Sequence, residues 1–284
     1  MLVVTGASGH LGRGVAEELL ARTAPGDVRL LSRTPDALAD LAARGADVRF
    51  ADFDDPASLP AALAGGRRLL LISTDALDRR VAQHRAAIDA AVQAGVGHVI
   101  YTSVVSPEPG NPAAVVETHR QTEADLRAAG CAWTVLRNEL YSEFQEPELR
   151  EAAASGRLVH NRGDGRAAYV SRLDCAAAAA AVLAGDGHED RAYDVTGPES
   201  LTAADLASIY ADLAGRPVEP VAVDDDALVA GMVGDSDDGH LAFGARFVAS
   251  FGRAIREGWF AEVSDDVETL TGRRPRSVRD VLAS

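Results

Sequence analysis

The chain has 284 residues, 47% of them hydrophobic, and a formal net charge of −15. That length and apolar content suffice for a sheet covered on both faces, whereas the acidic surplus argues against a nucleic-acid partner, which would need a face rich in Lys and Arg. No apolar run approaches the roughly 20 residues of a membrane span, so no membrane partner is expected.

The first element is LVVT (2–5), and strand-like sequence so close to the start leaves no room for an export signal, which points to the cytoplasm. Behind it Gly6, Gly9 and Gly12 stand at intervals of three and open a helix from Gly12 to Arg22. Further strands are expected at 28–32, 48–52, 68–73 and 98–103, each an unalternating apolar run of the kind buried on both faces of a parallel sheet. Between them, Thr34-Pro35-Asp36 reads as the cap and first turn of a helix towards Arg44, and Asp78 to Gly95 as another helix. TVLR (134–137) reads as a sixth strand, EPELREAAASG as a helix closed by Gly156, and DCAAAAAAVLAG as a helix small enough to pack closely. AYDVTG reads as a returning strand, and LTAADLASIYADLAG as a helix capped by Thr202 and stopped by Gly215. The acidic, glycine-punctuated stretch 224–240 is the least regular, a mobile lid or a solvated loop. Cys131 and Cys175 read as core residues, and no Cys/His cluster suggests a metal.

The glycine turn follows a strand and begins a series of βα units, the context in which such a turn binds a dinucleotide. Gly6 makes the turn, Gly9 lets the pyrophosphate approach and Gly12 lets the helix pack, with Ser8, His10 and Leu11 completing the loop. The second strand ends Ser32-Arg33, where an NAD site would carry an acid. A guanidinium there forks onto a 2′-phosphate and the serine adds a neutral donor, so the expected cofactor is NADP(H). Asp52 and Phe53 at the third strand's exit offer an acceptor and a flat cover to the adenine. Ser73, Thr74 and Thr102 end the next two strands, where ligands of open α/β sheets bind, and should flank the nicotinamide ribose.

TGASGHLG, SRTPDAL, ADFDDPASL, THRQTEADLRAAG, TVLRNELYSE, VSRLDCAAAAAAVL and the C-terminal LTGRRPRSVRDVL together resemble the NmrA-like atypical short-chain dehydrogenase/reductases, particularly their quinone oxidoreductase-like branch. The resemblance implies a doubly wound Rossmann sheet with a smaller C-terminal α/β lobe. Residues 1–140 would form the NADP-binding domain and 141–284 mainly the substrate lobe, with a returning strand near 193–195 completing the sheet. All 28 basic residues are arginine, so the superfamily's usual Tyr-x-x-x-Lys pair cannot exist here; Val115 stands at the tyrosine place and His119 at the lysine place. His119 would contact the nicotinamide ribose and, titrating near neutrality, act as a proton source; the competing reading is a surface histidine paired with Glu123.

Ser103 stands where the superfamily polarises a carbonyl, and Tyr141 at the lobe junction is the remaining catalytic candidate, with Asn138 as a polar liner and Asp174 as a helix cap. The expected function is an NADPH-dependent reductase passing hydride to a small conjugated acceptor such as a quinone or enone. Two alternatives stand beside it: a non-catalytic NADP(H)-binding redox sensor acting through a protein partner, and a tailoring reductase of a biosynthetic pathway. Assembly as a homodimer is compatible with each.

Overall fold

The structure is a computed structural model that describes all 284 residues. Its strands are β1 (Leu2–Val4), β2 (Val28–Ser32), β3 (Asp47–Phe50), β4 (Arg68–Leu71), β5 (His98–Val104), β6 (Ala132–Asn138), β7 (Arg157–His160), β8 (Arg191–Val195) and β9 (Glu219–Ala222). Seven of them form one parallel sheet in the order β3-β2-β1-β4-β5-β6-β8, and β7 pairs with β9 in a separate ribbon. The chain runs outward from β1 to β3 and then returns to start β4 on β1's other side. The crevice at the carboxyl ends of β1 and β4 is thus the switch point at which open α/β sheets bind ligands.

The first five helices are α1 (His10–Leu20), α2 (Ala39–Ala43), α3 (Leu59–Leu63), α4 (Arg80–Gln93) and α5 (Val116–Arg127). After β6 come α6 (Gln145–Ser155), α7 (Arg172–Ala184), α8 (Ala203–Ala214), α9 (Asp225–Val233), α10 (Gly239–Arg256), α11 (Asp266–Thr271) and α12 (Val278–Leu282). On one face of the sheet α1 buries Leu11, Val15 and Leu19 with Cys175, Ala176 and Ala179 of α7. The alanine run is what lets these two helices approach: a Cβ on Gly14 would lie 2.9 Å from the Cβ of Ala176. On the opposite face Leu63, Ile88, Ala91 and Leu126 cover Leu69, Leu71, Val99 and Val135. Each fully buried leucine stabilises the fold by roughly 1.5–3 kcal/mol. A third core, built on Leu158, Leu206, Tyr210, Ile255 and Phe260, belongs to the C-terminal elements. No helix is long and apolar enough to cross a membrane.

The returning strand is β8, which pairs with β6 from Thr134↔Arg191 to Asn138↔Val195. Gly156 and Gly215 close α6 and α8 in the left-handed conformation, and Thr202 forms a full capping box with Asp205. Four readings need correction. Pro35–Leu38 is a 3₁₀ turn ahead of a short α2, and Thr34 makes no side-chain cap, its hydroxyl lying instead 3.3 Å from Ser32 Oγ. The 224–240 stretch is mostly helix: Asp224 caps α9 by accepting from the Ala227 amide and Asp238 caps α10, so two of its acids serve as caps. Ser171, and not Asp174, caps α7, and Asp174 instead accepts the Arg276 amide at 2.7 Å. Cys131 is half-buried at the edge of the core, while Cys175 is fully inside it.

Candidate active site

The three glycines of the first turn are there for three different reasons. Gly6 has φ +59°, a left-handed conformation that costs other residues about 1–2 kcal/mol. A Cβ on Gly12 would lie 2.2 Å from the Gly6 carbonyl oxygen and 2.8 Å from the Ala7 Cα, so Gly12 is needed to fold the helix back onto the turn. Gly9 has the extended backbone any residue adopts (φ −78°, ψ 167°), and its Cβ would meet only the Gly6 oxygen, at 3.3 Å. Folding does not demand glycine at that place, whereas a closely approaching ligand does. The first-turn amides of α1 have no side-chain cap, and they point their partial positive charge at the same spot.

Beyond the sheet's C-terminal edge, threonine hydroxyls replace the backbone ladder. Thr5 Oγ1 donates to the Leu70 carbonyl and accepts from the Ile72 amide at 3.0 Å, and Thr102 Oγ1 accepts from the Ser73 amide at 2.9 Å. The strand tips are thereby linked through side chains, and a cavity of about 1460 Å³ lies between them and the C-terminal elements. Every site residue read from the sequence lines it: Gly6, Ser8, Gly9, His10, Leu11, Gly12, Ser32, Arg33, Asp52, Phe53, Ser73, Thr74, Thr102, Ser103, His119 and Tyr141. Arg33 is exposed at the rim and pairs with no acid of the chain, unlike Arg13, which is held by Asp40 at 2.8 Å. The Ser32 hydroxyl donates to Ser8 Oγ at 2.9 Å, so the neutral donor left facing the rim is that of Ser8. Asp52 gives one carboxylate oxygen to the Asp54 amide.

Two of the three catalytic readings, those of His119 and Ser103, change in the structure. His119 is neither a surface residue nor a group titrating near neutrality. It is buried, its Nδ1 lies 2.7 Å from the Tyr101 hydroxyl, and burial beside Arg80 and His84 holds it well below its usual pKa, hence neutral at pH 7. Glu123 does not reach it: its buried carboxylate accepts from Ser103 Oγ at 2.7 Å and pairs with Arg127 and Arg137. The Ser103 hydroxyl is thereby committed to a carboxylate and not presented free to a carbonyl. Tyr141 does reach the cleft, with its hydroxyl 3.3 Å from Asn138 Nδ2 and Arg172 over its ring.

Behind His119 lies a polar interior that the sequence did not disclose. His84 Nε2 accepts the Thr74 amide at 3.1 Å, which leaves Nδ1 to donate to Thr122 Oγ1 at 3.0 Å. Burial pushes its pKa down to about 3. Arg80, also buried, donates to the Thr74 carbonyl and to Thr118 Oγ1. The signal was present in a tyrosine and a histidine on otherwise apolar faces, but the partners lie up to 38 residues apart on α4 and α5. The outer end of the cleft is apolar, with Phe144, Leu228, Met232, Phe247 and Phe251, and carries an Arg162–Glu148 ion pair.

A parallel sheet with its cleft at the switch point, a glycine turn opening a helix, and an unpaired arginine at the rim define a dinucleotide-binding α/β protein. The NAD(P)H-binding family profile matches residues 6–186, and the chain belongs to that family. It is 37% identical over 218 residues to quinone oxidoreductase 2 of Escherichia coli, covering 77% of this chain and 76% of that one. The NADPH complex of that enzyme superposes with a TM-score of 0.94 at 31% identity, over 100% of this chain and 99% of that chain. The chain is also 33% identical over 287 residues to a (4-alkanoyl-5-oxo-2,5-dihydrofuran-3-yl)methyl phosphate reductase of Streptomyces griseus, covering 99% and 96%. The NADP(H) complex of triphenylmethane reductase from Citrobacter sp. matches with a TM-score of 0.92 at 31% identity, covering both chains completely.

Proposed function

We propose that the protein is an NADPH-dependent reductase of small, flat, conjugated acceptors such as quinones and enones. The observation that carries this reading is the continuity of the cleft, which joins a phosphate-binding turn to an aromatic, apolar chamber without a barrier. Residues 1–140 would bind the cofactor, and 141–284 would form mainly the substrate lobe, although β8 returns to the sheet. The residues fit the cofactor: the Gly9 approach and the free α1 amides suit a pyrophosphate, Arg33 and Ser8 a 2′-phosphate, and Asp52 and Phe53 an adenine. Ser73, Thr74, Thr102 and His119 would line the nicotinamide ribose. When bound, the cofactor supplies hydride.

His119, neutral and braced by Tyr101, would hold the ribose by a hydrogen bond and store no proton. Tyr141, fixed by Asn138, would position the acceptor, and Ser103, bonded to Glu123, would only shape the cleft wall. Because the chain has no lysine, proton delivery does not use a Tyr-x-x-x-Lys pair. Quinones suit such a site, since their reduced oxygens are stabilised as phenolates. The Streptomyces relative, matched over nearly its whole length and named for a conjugated dihydrofuranone, supports an enone acceptor; a tailoring reductase remains a narrower form of the same reading. Each chain holds a complete cleft, so the reading needs no second copy, and a cytoplasmic location is part of the proposal. The test is stopped-flow NADPH oxidation against quinones, enones and azo compounds. Acceptor-dependent oxidation supports the reading, and binding without any oxidation would make the protein a sensor instead.

A further inference from the structure

Glu139 follows directly on β6 and is 3% exposed. Its Oε1 accepts the Leu140 amide at 2.9 Å, and its Oε2 has no partner in the protein. The residue lines two cavities: the main cleft, which Asn138 and Tyr141 also line, and a second cavity of about 50 Å³. This small cavity is large enough for water and is lined by polar groups of Ser106, Asp194, Thr196, Glu262 and Ser264, with no basic side chain among its residues.

A buried carboxylate needs a cation or several donors, and here one amide is supplied. The groups facing it are of the wrong sign or neutral: Asp194 on β8, Glu262 after α10, and Tyr169 ahead of α7. Of the basic residues of that part of the cleft, Arg162 pairs with Glu148 through Nη2 while its buried Nη1 has no partner, Arg172 lies over the rings of Tyr141 and Phe144 and Arg137 pairs with Glu123, and none of them bonds Glu139. Burial, with Asp194 adding repulsion, holds the Glu139 carboxyl well above its usual pKa, which favours the protonated form. In the protonated acid the proton belongs on Oε2, since Oε1 accepts the Leu140 amide and Oε2 has no partner in the protein.

We propose that Glu139 is the proton donor to the reduced acceptor, giving up its Oε2 proton in the main cleft and recovering one from water in the small cavity behind it. The proposal rests on the reductase reading above. A quinone that has received hydride, and with it two electrons, is a hydroquinone monoanion; the Oε2–H bond breaks, a phenolic O–H bond forms, and Glu139 is left as carboxylate. One proton from water then restores the acid, with no change in electrons. An enone follows the same balance, its enolate taking the proton.

The test compares wild type, Glu139→Gln and Glu139→Ala, each with NADPH and 1,4-benzoquinone. Turnover should fall about 10- to 100-fold in both variants, within the lower range of general acid catalysis, while NADPH affinity stays within about twofold. Wild-type turnover should fall at alkaline pH as Glu139 loses its proton, and this limb should vanish in Glu139→Gln. Formic acid should restore turnover to Glu139→Ala in proportion to its concentration, which a merely structural defect would not allow. Independently of turnover, infrared spectra of wild type at pH 8 should show a protonated-carboxyl band that Glu139→Gln lacks. Unchanged turnover in Glu139→Gln, absence of the band, or failure of formic acid to rescue would each overturn the proposal. Failure of wild type itself to oxidise NADPH would show up separately, as failure of the reductase reading, and the proposal would fall with it.

Discussion

Gly9→Val is the sharpest perturbation of the cofactor turn, because the structure separates its effect on folding from its effect on binding. The backbone at Gly9 is extended, and an added Cβ would press only on the Gly6 oxygen, at 3.3 Å, which a shift of a few tenths of an ångström relieves. As a change at a helix N-cap, it should cost no more than about 1 kcal/mol of stability. The valine methyls, in contrast, would fill the space above the α1 amides. Losing two hydrogen bonds to a charged phosphate, at about 1.5–3 kcal/mol each, removes about 3–6 kcal/mol of binding, which raises the NADPH Kd at least ~100-fold. Urea denaturation and calorimetric titration measure the two quantities on the same sample. Gly12→Ala is the contrasting control, since its Cβ would collide with the Gly6 oxygen at 2.2 Å and should damage stability and binding together. A folded Gly9→Val protein that binds NADPH within about threefold of wild type would refute the assignment of this turn.

Arg33→Ala should weaken NADPH binding by about 1.5–3 kcal/mol and leave NADH almost unaffected, because the rim guanidinium has no acid of the chain to hold and serves a 2′-phosphate; equal losses for the two cofactors in parallel titrations would remove that role. Ala176→Leu should destabilise by about 1–3 kcal/mol in thermal or urea unfolding, since the added methyls would press on Gly14 of α1 where even a Cβ would be crowded; an unchanged midpoint would mean that the two helices are not in close contact. Acid should destabilise the fold through His84. Its folded pKa of about 3 lies below the ordinary histidine value of 6.5, so its contribution is intact above about pH 6.5. As pH falls from there the unfolded chain takes up a proton that the native one refuses, at up to about 1.4 kcal/mol per pH unit. Urea midpoints at about pH 7 and pH 5 should therefore differ more in wild type than in His84→Gln, and equal differences would contradict a buried neutral imidazole.

The residues proposed to hold the cofactor could be picked out together in the sequence because their chemistry is local. The glycine turn, the Ser32-Arg33 strand end and the Asp52-Phe53 exit each place their residues within one βα unit, and all of them line the cavity. The parallel order could be inferred from unalternating strands, and the 193–195 return from an isolated β-like run. The interior behind His119 was not legible, because Tyr101, His84, Arg80 and Thr122 meet only when α4 packs beside α5. The same holds for Glu123, read as a surface partner on helical spacing but buried by Arg137 of β6. The 224–240 stretch misled through composition: its aspartates cap helices, and a cap and a solvated loop share the same residues. Glu139 passed unnoticed as one polar residue in NEL, since nothing in the sequence reveals that it would lie between two cavities.

The central claim is that this cleft moves hydride from NADPH to a conjugated acceptor, and a single-turnover stopped-flow experiment tests it most directly. Protein premixed with one equivalent of NADPH is mixed with excess 1,4-benzoquinone, and the loss of nicotinamide absorbance is followed against a protein-free control. The account predicts acceptor-dependent loss well above the control, and slower loss with Gly9→Val in step with its weaker binding. NADPH that stays bound and unoxidised across quinones, enones and azo compounds would contradict it.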